Sequence, residues 1–313
     1  MTTPSIVLPP EMVEMHAPTP AAASSTPITT APLADLSSLD LSLPLSTLLK
    51  SGTKIAHADA EHSPGAIALA TGTLELSEYV RYLVFLWVVY RVLEDELDGI
   101  VREHGSSSAS VDGSVDALYA LWSDEKGKGR MLRRSDGLAE DIIYYLDYLG
   151  IHPPADEERI ASAPFPTPDL IKDILVSPPT DLEAFTKHLQ TTSSSSHPGR
   201  LLAHAYVRYL GDLSGGQLVA AKIRRVYSLP PPPGGTSFYE FDLDEEGHGH
   251  RVSVTKEGGK EGGDTLYERK KKVEGIKNWF RDCMDMNVGD DEQLKGGSLD
   301  LDVAGEMVDE PCC

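Results

Sequence analysis

The sequence predicts an all-α fold, a single multi-helix domain. Apolar residues recur at helical spacing through most of residues 45–226, and helix-stopping residues such as Gly150, Pro153 and Pro154 stand between the periodic stretches. Only one short piece, FYEFDL at 238–243, reads as extended.

Taken in order, residues 1–42 are rich in Pro, Ser, Thr and Ala and too poor in large apolar side chains to offset chain entropy, so they are expected to be a disordered tail. The helical domain then spans 43–288. Helices are expected over Ser46–His62, over Ser77–His104 with Ser77 as N-cap, and over Val115–Trp122. Asp136–Leu149 follows, halted by Gly150. Thr180 to Glu183 has capping-box spacing and opens a helix to about residue 190; Pro198 starts another that runs to Val226. PPPPGG from Pro230 ends it, and 230–265 reads as a Gly-, Lys- and Glu-rich surface insertion. Leu266–Met286 is the last convincing helix before an acidic C-terminal tail, 289–313.

Composition removes whole classes of function. The 313 residues are 40% apolar, enough for a substantial core, and a net charge of −21 opposes any generic contact with nucleic acid. The longest apolar run, Tyr82–Tyr90, is far short of the ~20 residues of a membrane span. Three cysteines, Cys283, Cys312 and Cys313, give neither a disulfide framework nor metal-ligand spacing. No Lys or Arg precedes Lys50, so no secretory or mitochondrial leader is recognised and the expected compartment is the cytoplasm. Cys312 and Cys313 do not fit the prenylation pattern, which leaves lipid anchoring there a minor alternative.

The stretch HAYVRYLGDLSGGQLVAAKIRRV, 204–226, is patterned as one helix yet holds Gly211, Gly215 and Gly216. Each interior glycine costs a helix about 1 kcal/mol relative to alanine, so something must offset the loss. Gly211 and Gly215 share a face, where bare backbone admits either a flat ligand or a neighbouring helix. Asp212 is the carboxylate inside this segment, and a dry helix crossing gains nothing from it, which favours ligand contact.

Near the start of the domain Lys50, Lys54, His57 and Glu61 follow one stripe of helix. His57 is a candidate iron ligand, Glu61 a partner for its other ring nitrogen, and the lysines match carboxylates of an anionic cofactor. Taken alone, an ordinary surface histidine is the simpler reading, and His62 and His204 are rival ligands. A di-iron carboxylate site is rejected because the required Glu-x-x-His spacing occurs only at Glu245–His248, in the insertion. Two basic groups, Lys126 to Arg134 and Arg269 to Lys272, are either docking patches for an acidic partner or solvated charge.

HAYVRYLGDLSGGQ, 204–217, closely resembles the signature of haem oxygenases. KIAHADAE, 54–61, resembles that family's proximal-histidine helix and LWVVYRVLEDEL the helix after it, while FYEFDL and LYERKK match weakly. The resemblance implies a haem-oxygenase-like domain with its ligand between a proximal and a distal helix. It implies His57 as axial haem ligand and metal-binding residue, with Glu61 bonded to its far nitrogen. Gly211 and Gly215 would lie against the haem plane and Gly216 would lend flexibility. Asp212 would organise distal water with Tyr90 and Arg208. Lys50, Lys54, Tyr206, Arg269 and Lys270 complete the cofactor contacts, although Glu268 stands where the family places a basic residue. A hydrophobic membrane tail of the family's kind is not expected from these residues.

The activity so implied is oxidative, dioxygen-dependent cleavage of haem, at once cofactor and substrate, to biliverdin, carbon monoxide and ferrous iron. Electrons would come from NADPH through a flavoprotein reductase, with the 126–134 segment as its dock and the enzyme a monomer. The main alternative is a non-catalytic haem carrier or sensor on the same fold. A helical partner protein that binds no haem is the other.

Overall fold

A computed structural model describes residues 39–106, 112–123, 129–152, 160, 162–229, 234–241 and 266–299. These form α-helices and two 3-10 turns, with no strand among the described residues. Residues 1–38 and 300–313 of the expected tails, most of the insertion, and Lys126 and Lys128 lie outside them.

The first expected helix is two. α1 (Leu45–Gly52) and α2 (Lys54–Glu61) are separated at Thr53, whose hydroxyl donates back to the Leu49 carbonyl at 2.7 Å. Side-chain bonding of that kind bends helices, and Gly52 beside it weakens the turn further. α1 buries Leu45, Leu48 and Leu49, whereas α2 buries no residue at all. α3 (Pro64–Thr71), which the sequence reading missed, has all the usual punctuation. Ser63 caps it by accepting from the Ala66 N–H at 3.2 Å, Pro64 opens it, and Gly72 closes it at φ 77°.

α4 (Leu76–Ser106) is the central rod, and α5 (Gly113–Trp122), α7 (Ser135–Tyr148), α8 (Asp169–Val176) and α9 (Thr180–Ser193) all pack on it. That explains why its sequence is apolar nearly all round, with Tyr79, Leu83, Val84, Val89 and Tyr90 each at 1% exposure or less. Ser77 sits inside its first turn and is not the N-cap, since Tyr79 N–H already bonds to the Glu75 carbonyl. The Thr180 capping box does not form either; Pro179 occupies the cap position with no side-chain bond. Gly150, at φ 67°, ends α7 as its sequence requires. α6 (Gly129–Leu132) is a single turn.

A 3-10 turn, Pro198–Arg200, leads into α10 (Leu201–Val226), unbroken across its glycines. The expected extended piece begins instead in a 3-10 turn at Ser237–Tyr239, with Glu240 extended after it and Asp242 and Leu243 outside the described residues. The cause of the turn is Asp141 on α7, whose carboxylate accepts from the backbone N–H groups of Ser237 at 2.7 Å and Phe238 at 2.9 Å and so gathers the chain into a turn. α11 (Leu266–Val288) packs along α5 and α1, where Asp285 caps α1 by accepting from Ser46 N–H and hydroxyl at 2.8 and 2.6 Å. α12 (Glu292–Ser298), in the stretch read only as tail, follows. No helix among the described residues is long and apolar enough to cross a membrane.

Candidate functional site

The middle of α10 presents an open stripe. Gly211, Ser214, Gly215 and Leu218, spaced i, i+3, i+4 and i+7, are all exposed, Leu218 at 77%. No atom lies within 4 Å of where a Cβ would stand on Gly211 or Gly215, so neither glycine is required by helix packing. Gly216 differs, being buried, with the Tyr239 ring 3.2 Å from its missing Cβ. It is glycine because an aromatic ring closes on the back of the helix. The Gln217 side chain lies outside the described residues.

Beside the stripe, Asp212 accepts from the Tyr90 hydroxyl at 2.5 Å. Tyr90 comes from the core of α4 at 1% exposure, and burial together with the Asp212 charge pushes its phenol well above its usual pKa. The phenol therefore stays protonated and remains a donor. Half-buried Arg208 adds positive charge to this neighbourhood.

One turn along α4, Glu94 is 1% exposed and accepts from the N–H of Arg134 at 2.6 Å and the Ser135 hydroxyl at 2.5 Å. Burial nonetheless raises its pKa. Tyr90 and Glu94 thus anchor one carboxylate in α10 and the start of α7, a role for Glu94 that spacing alone did not reveal.

α2 carries the second set of expected residues. Lys50 at the end of α1, with Lys54, His57 and Glu61, are exposed, and Glu61 Oε1 lies 3.7 Å from His57 Nδ1. Ile55 and Ile67, 45% and 47% exposed, add apolar surface on α2 and α3. A groove of about 620 Å³ joins these elements, lined by Glu61 of α2, by Ala66 and Leu69 of α3, and by Leu218, Val219 and Lys222 of α10. Its size falls within the roughly 300–1,000 Å³ of small-molecule sites. Leu218, Lys222 and Arg225, absent from the sequence reading, were legible as the continuation of the Gly211 stripe.

Other expected residues lie elsewhere. Tyr206 is buried, and its hydroxyl donates to the Ser46 carbonyl at 3.0 Å, tying α10 to α1. His204 is fully buried beside Phe185 and His188, with both ring nitrogens lacking a hydrogen-bond partner. Burial drives its pKa down to about 3, so it is a neutral core residue. His62 is exposed, its Nδ1 2.5 Å from the Ala58 carbonyl. Lys270 and Glu268 are exposed on the first turns of α11, and the Arg269 side chain lies outside the described residues.

The docking role expected of Arg133 and Arg134 does not fit their positions. Arg134 is 4% exposed, donating to the carbonyls of Met131, Leu132, Phe238 and Glu240, and Arg133 is bonded to Asp98 and covers the Trp122 ring at 4.8 Å. Both guanidiniums are spent inside the fold.

The all-α scaffold thus carries an exposed imidazole helix and a side-chain-poor, carboxylate-marked helix, and one groove touches them through Glu61 and Leu218, while His57, Gly211, Gly215 and Asp212 are not among its lining residues. The family model described as "Heme oxygenase" matches residues 43–114 and 172–251, which contain both helices. The chain belongs to the haem oxygenase family.

Relatives include haem oxygenase of Guillardia theta, 28% identical over 203 residues, 64% of this chain and 68% of that one. Haem oxygenase 2 of Synechocystis sp. is 29% identical over 63% of this chain and 62% of its own, and haem oxygenase 1 of Gallus gallus 28% identical over 64% and 55%. The chain thus spans between about half and two thirds of the length of these relatives. In fold it is similar to the solved haem oxygenase of Leptospira interrogans, with TM-score 0.54, 24% identity, and coverage of 85% of this chain and 98% of that one. It is likewise similar to Synechocystis haem oxygenase-2 in complex with heme and NO, with TM-score 0.51, 22% identity, and coverage of 85% of each chain.

Proposed function

We propose that this protein binds haem between α2 and α10 and converts it, with dioxygen and electrons from an NADPH-dependent flavoprotein reductase, to biliverdin, carbon monoxide and ferrous iron. The observation that carries the reading is the bare stripe of Gly211 and Gly215 beside an Asp212 carboxylate held by Tyr90.

Bound haem supplies dioxygen activation and is itself the ring that is consumed. The chain supplies the rest. His57 offers an accessible imidazole nitrogen, and Glu61, 3.7 Å from the other ring nitrogen, would orient the ring. Lys50 and Lys54 meet the carboxylates at one edge, and Leu69, Leu218 and Val219 receive an apolar edge and keep water from it. Gly211 and Gly215 let backbone approach the ring plane, where any side chain would hold it off. Asp212, fixed by Tyr90 and charge-balanced by Arg208, orients distal water and passes protons to the reacting oxygen.

A haemin titration followed by ascorbate under air tests this. A Soret band should form and then give way to a bile-pigment spectrum. A stable Soret band with no pigment would instead make the protein a haem carrier, and absence of the band would remove haem altogether.

A further inference from the structure

The last turns of α10 carry Lys222, Arg224 and Arg225, and these cations face different ways. Arg224 turns inward and is bonded to Thr236 and Glu240. Lys222 and Arg225, three residues apart and so on neighbouring turns, line the groove between α3 and α10, and among the described residues neither side chain has a hydrogen-bond or ion-pair partner. In a chain with 49 acidic and 28 basic residues a carboxylate partner is easy to supply, so two adjacent cations without one call for an explanation. Glu61 belongs to the same lining but pairs with neither; it faces His57 at 3.7 Å.

The fold sets the lysine in place. Gly72 closes α3 at φ 77°, and a Cβ there would stand 2.5 Å from a Val226 methyl and 3.3 Å from Lys222 Cε, so the glycine lets the end of α3 close on α10 and hold the Lys222 stem at the groove. One turn earlier on α10 the lining becomes apolar. Leu218, 77% exposed, and Val219 form a wall there, with Leu69 and Leu74 from α3 and the turn after it.

We propose that this groove binds a long-chain carboxylic acid as its anion, the carboxylate held by Lys222 and Arg225 and the alkyl chain laid over Leu218, Val219, Leu69 and Leu74. Arg225 offers paired N–H donors that match the two oxygens of a carboxylate, and Lys222 adds a point charge beside it. The chain gains by taking the leucines out of water. A sugar or nucleotide fits less well, because apart from Glu61 and Tyr82 the rest of the lining is apolar. The site itself does not rest on the haem reading. Its consequence does: Leu69, Leu218 and Val219 are also assigned to the apolar edge of haem, so acid and haem exclude one another.

Calorimetric titration of the haem-free protein with laurate, kept below its micelle concentration, is the test. One laurate should bind per chain, and dodecanol, which has the same tail and no charge, roughly tenfold more weakly. Lys222→Gln combined with Arg225→Gln keeps both stems and should weaken laurate roughly tenfold while haemin affinity stays within about threefold. Arg225→Gln alone, at an exposed position, should show part of the same loss. Laurate should also move a haemin titration of the unaltered protein to higher haemin. No laurate binding, equal binding of dodecanol, or unchanged laurate affinity in the double variant would overturn the proposal. Equal losses of laurate and haemin affinity would overturn it too, by giving both cations to haem. Laurate binding as expected with no Soret band on adding haemin would support the site and remove the haem reading.

Discussion

Tyr90 reaches Asp212 from a different helix and 122 residues away in sequence, so the carboxylate is positioned by the core of α4 and not by α10 itself. Replacing Asp212 with Ala should leave haemin binding within about threefold of the unaltered protein while bile-pigment yield falls roughly 100-fold, the scale of a lost positioned proton donor. A normal yield would show that Asp212 does not organise the distal side.

His204, in the same family-like segment, behaves oppositely, as a neutral side chain packed away from water. Its pKa is lowered from about 6.5 to about 3, so the unfolded chain takes up the proton first as pH falls. The stability it contributes is present above pH 6.5 and lost as pH falls toward 3. His204→Phe should therefore gain roughly 2–3 kcal/mol on the unaltered protein between pH 7.5 and 4.5 in denaturant titrations. An offset that is the same at both pH values would contradict this. Sequence placed His57 and His204 side by side as candidate ligands; burial, which one sequence does not display, separates them.

At the scale of elements, the glycine helix shows its purpose by what it gives up. Because a Cβ at position 215 meets nothing, Gly215→Ala should stabilise the ligand-free protein by about 1 kcal/mol while weakening haemin binding roughly tenfold. Thermal melts and Soret titrations on one preparation read both quantities. A gain in stability with unchanged affinity would mean that no ligand lies on this stripe.

The turn behind that helix depends on Asp141, whose burial raises its pKa from about 3.8 to about 7 despite two backbone donors. The folded state holds the proton more tightly, so stability is full below pH 4 and lost as pH rises toward 7. Relative to Asp141→Asn, the unaltered protein should lose roughly 3 kcal/mol between pH 4.5 and 7.5, and parallel pH profiles would contradict it.

Helix existence was legible wherever a long apolar period ran, as in α4, α7 and α10. The misses are local contests that periodicity does not register. Thr53 back-bonds to Leu49 and splits the first helix, Pro179 takes the cap that Thr180 was expected to supply, and Asp141 bends an apparently extended segment.

At the scale of the molecule, α4 explains why the site exists. Four helices pack on this one rod, and the same rod delivers Tyr90 and Glu94 to α10 and α7, so the fold and the Tyr90–Asp212 geometry share one set of contacts. α1 and α2 are held more lightly, through Asp285 at Ser46 and Tyr206 at the Ser46 carbonyl, and α2 buries nothing. The stripe residues and the imidazole were readable in sequence because their chemistry is local. The inward turn of Tyr206, Arg133 and Arg134 was not, because a polar residue reads alike whether it faces a ligand, a partner or a backbone carbonyl.

The most direct measurement is a crystal structure of the haem-loaded protein. The account predicts iron on His57 Nε2 with the porphyrin lying against Gly211 and Gly215. Iron held by His62 or His204, or a porphyrin bound away from α10, would contradict it.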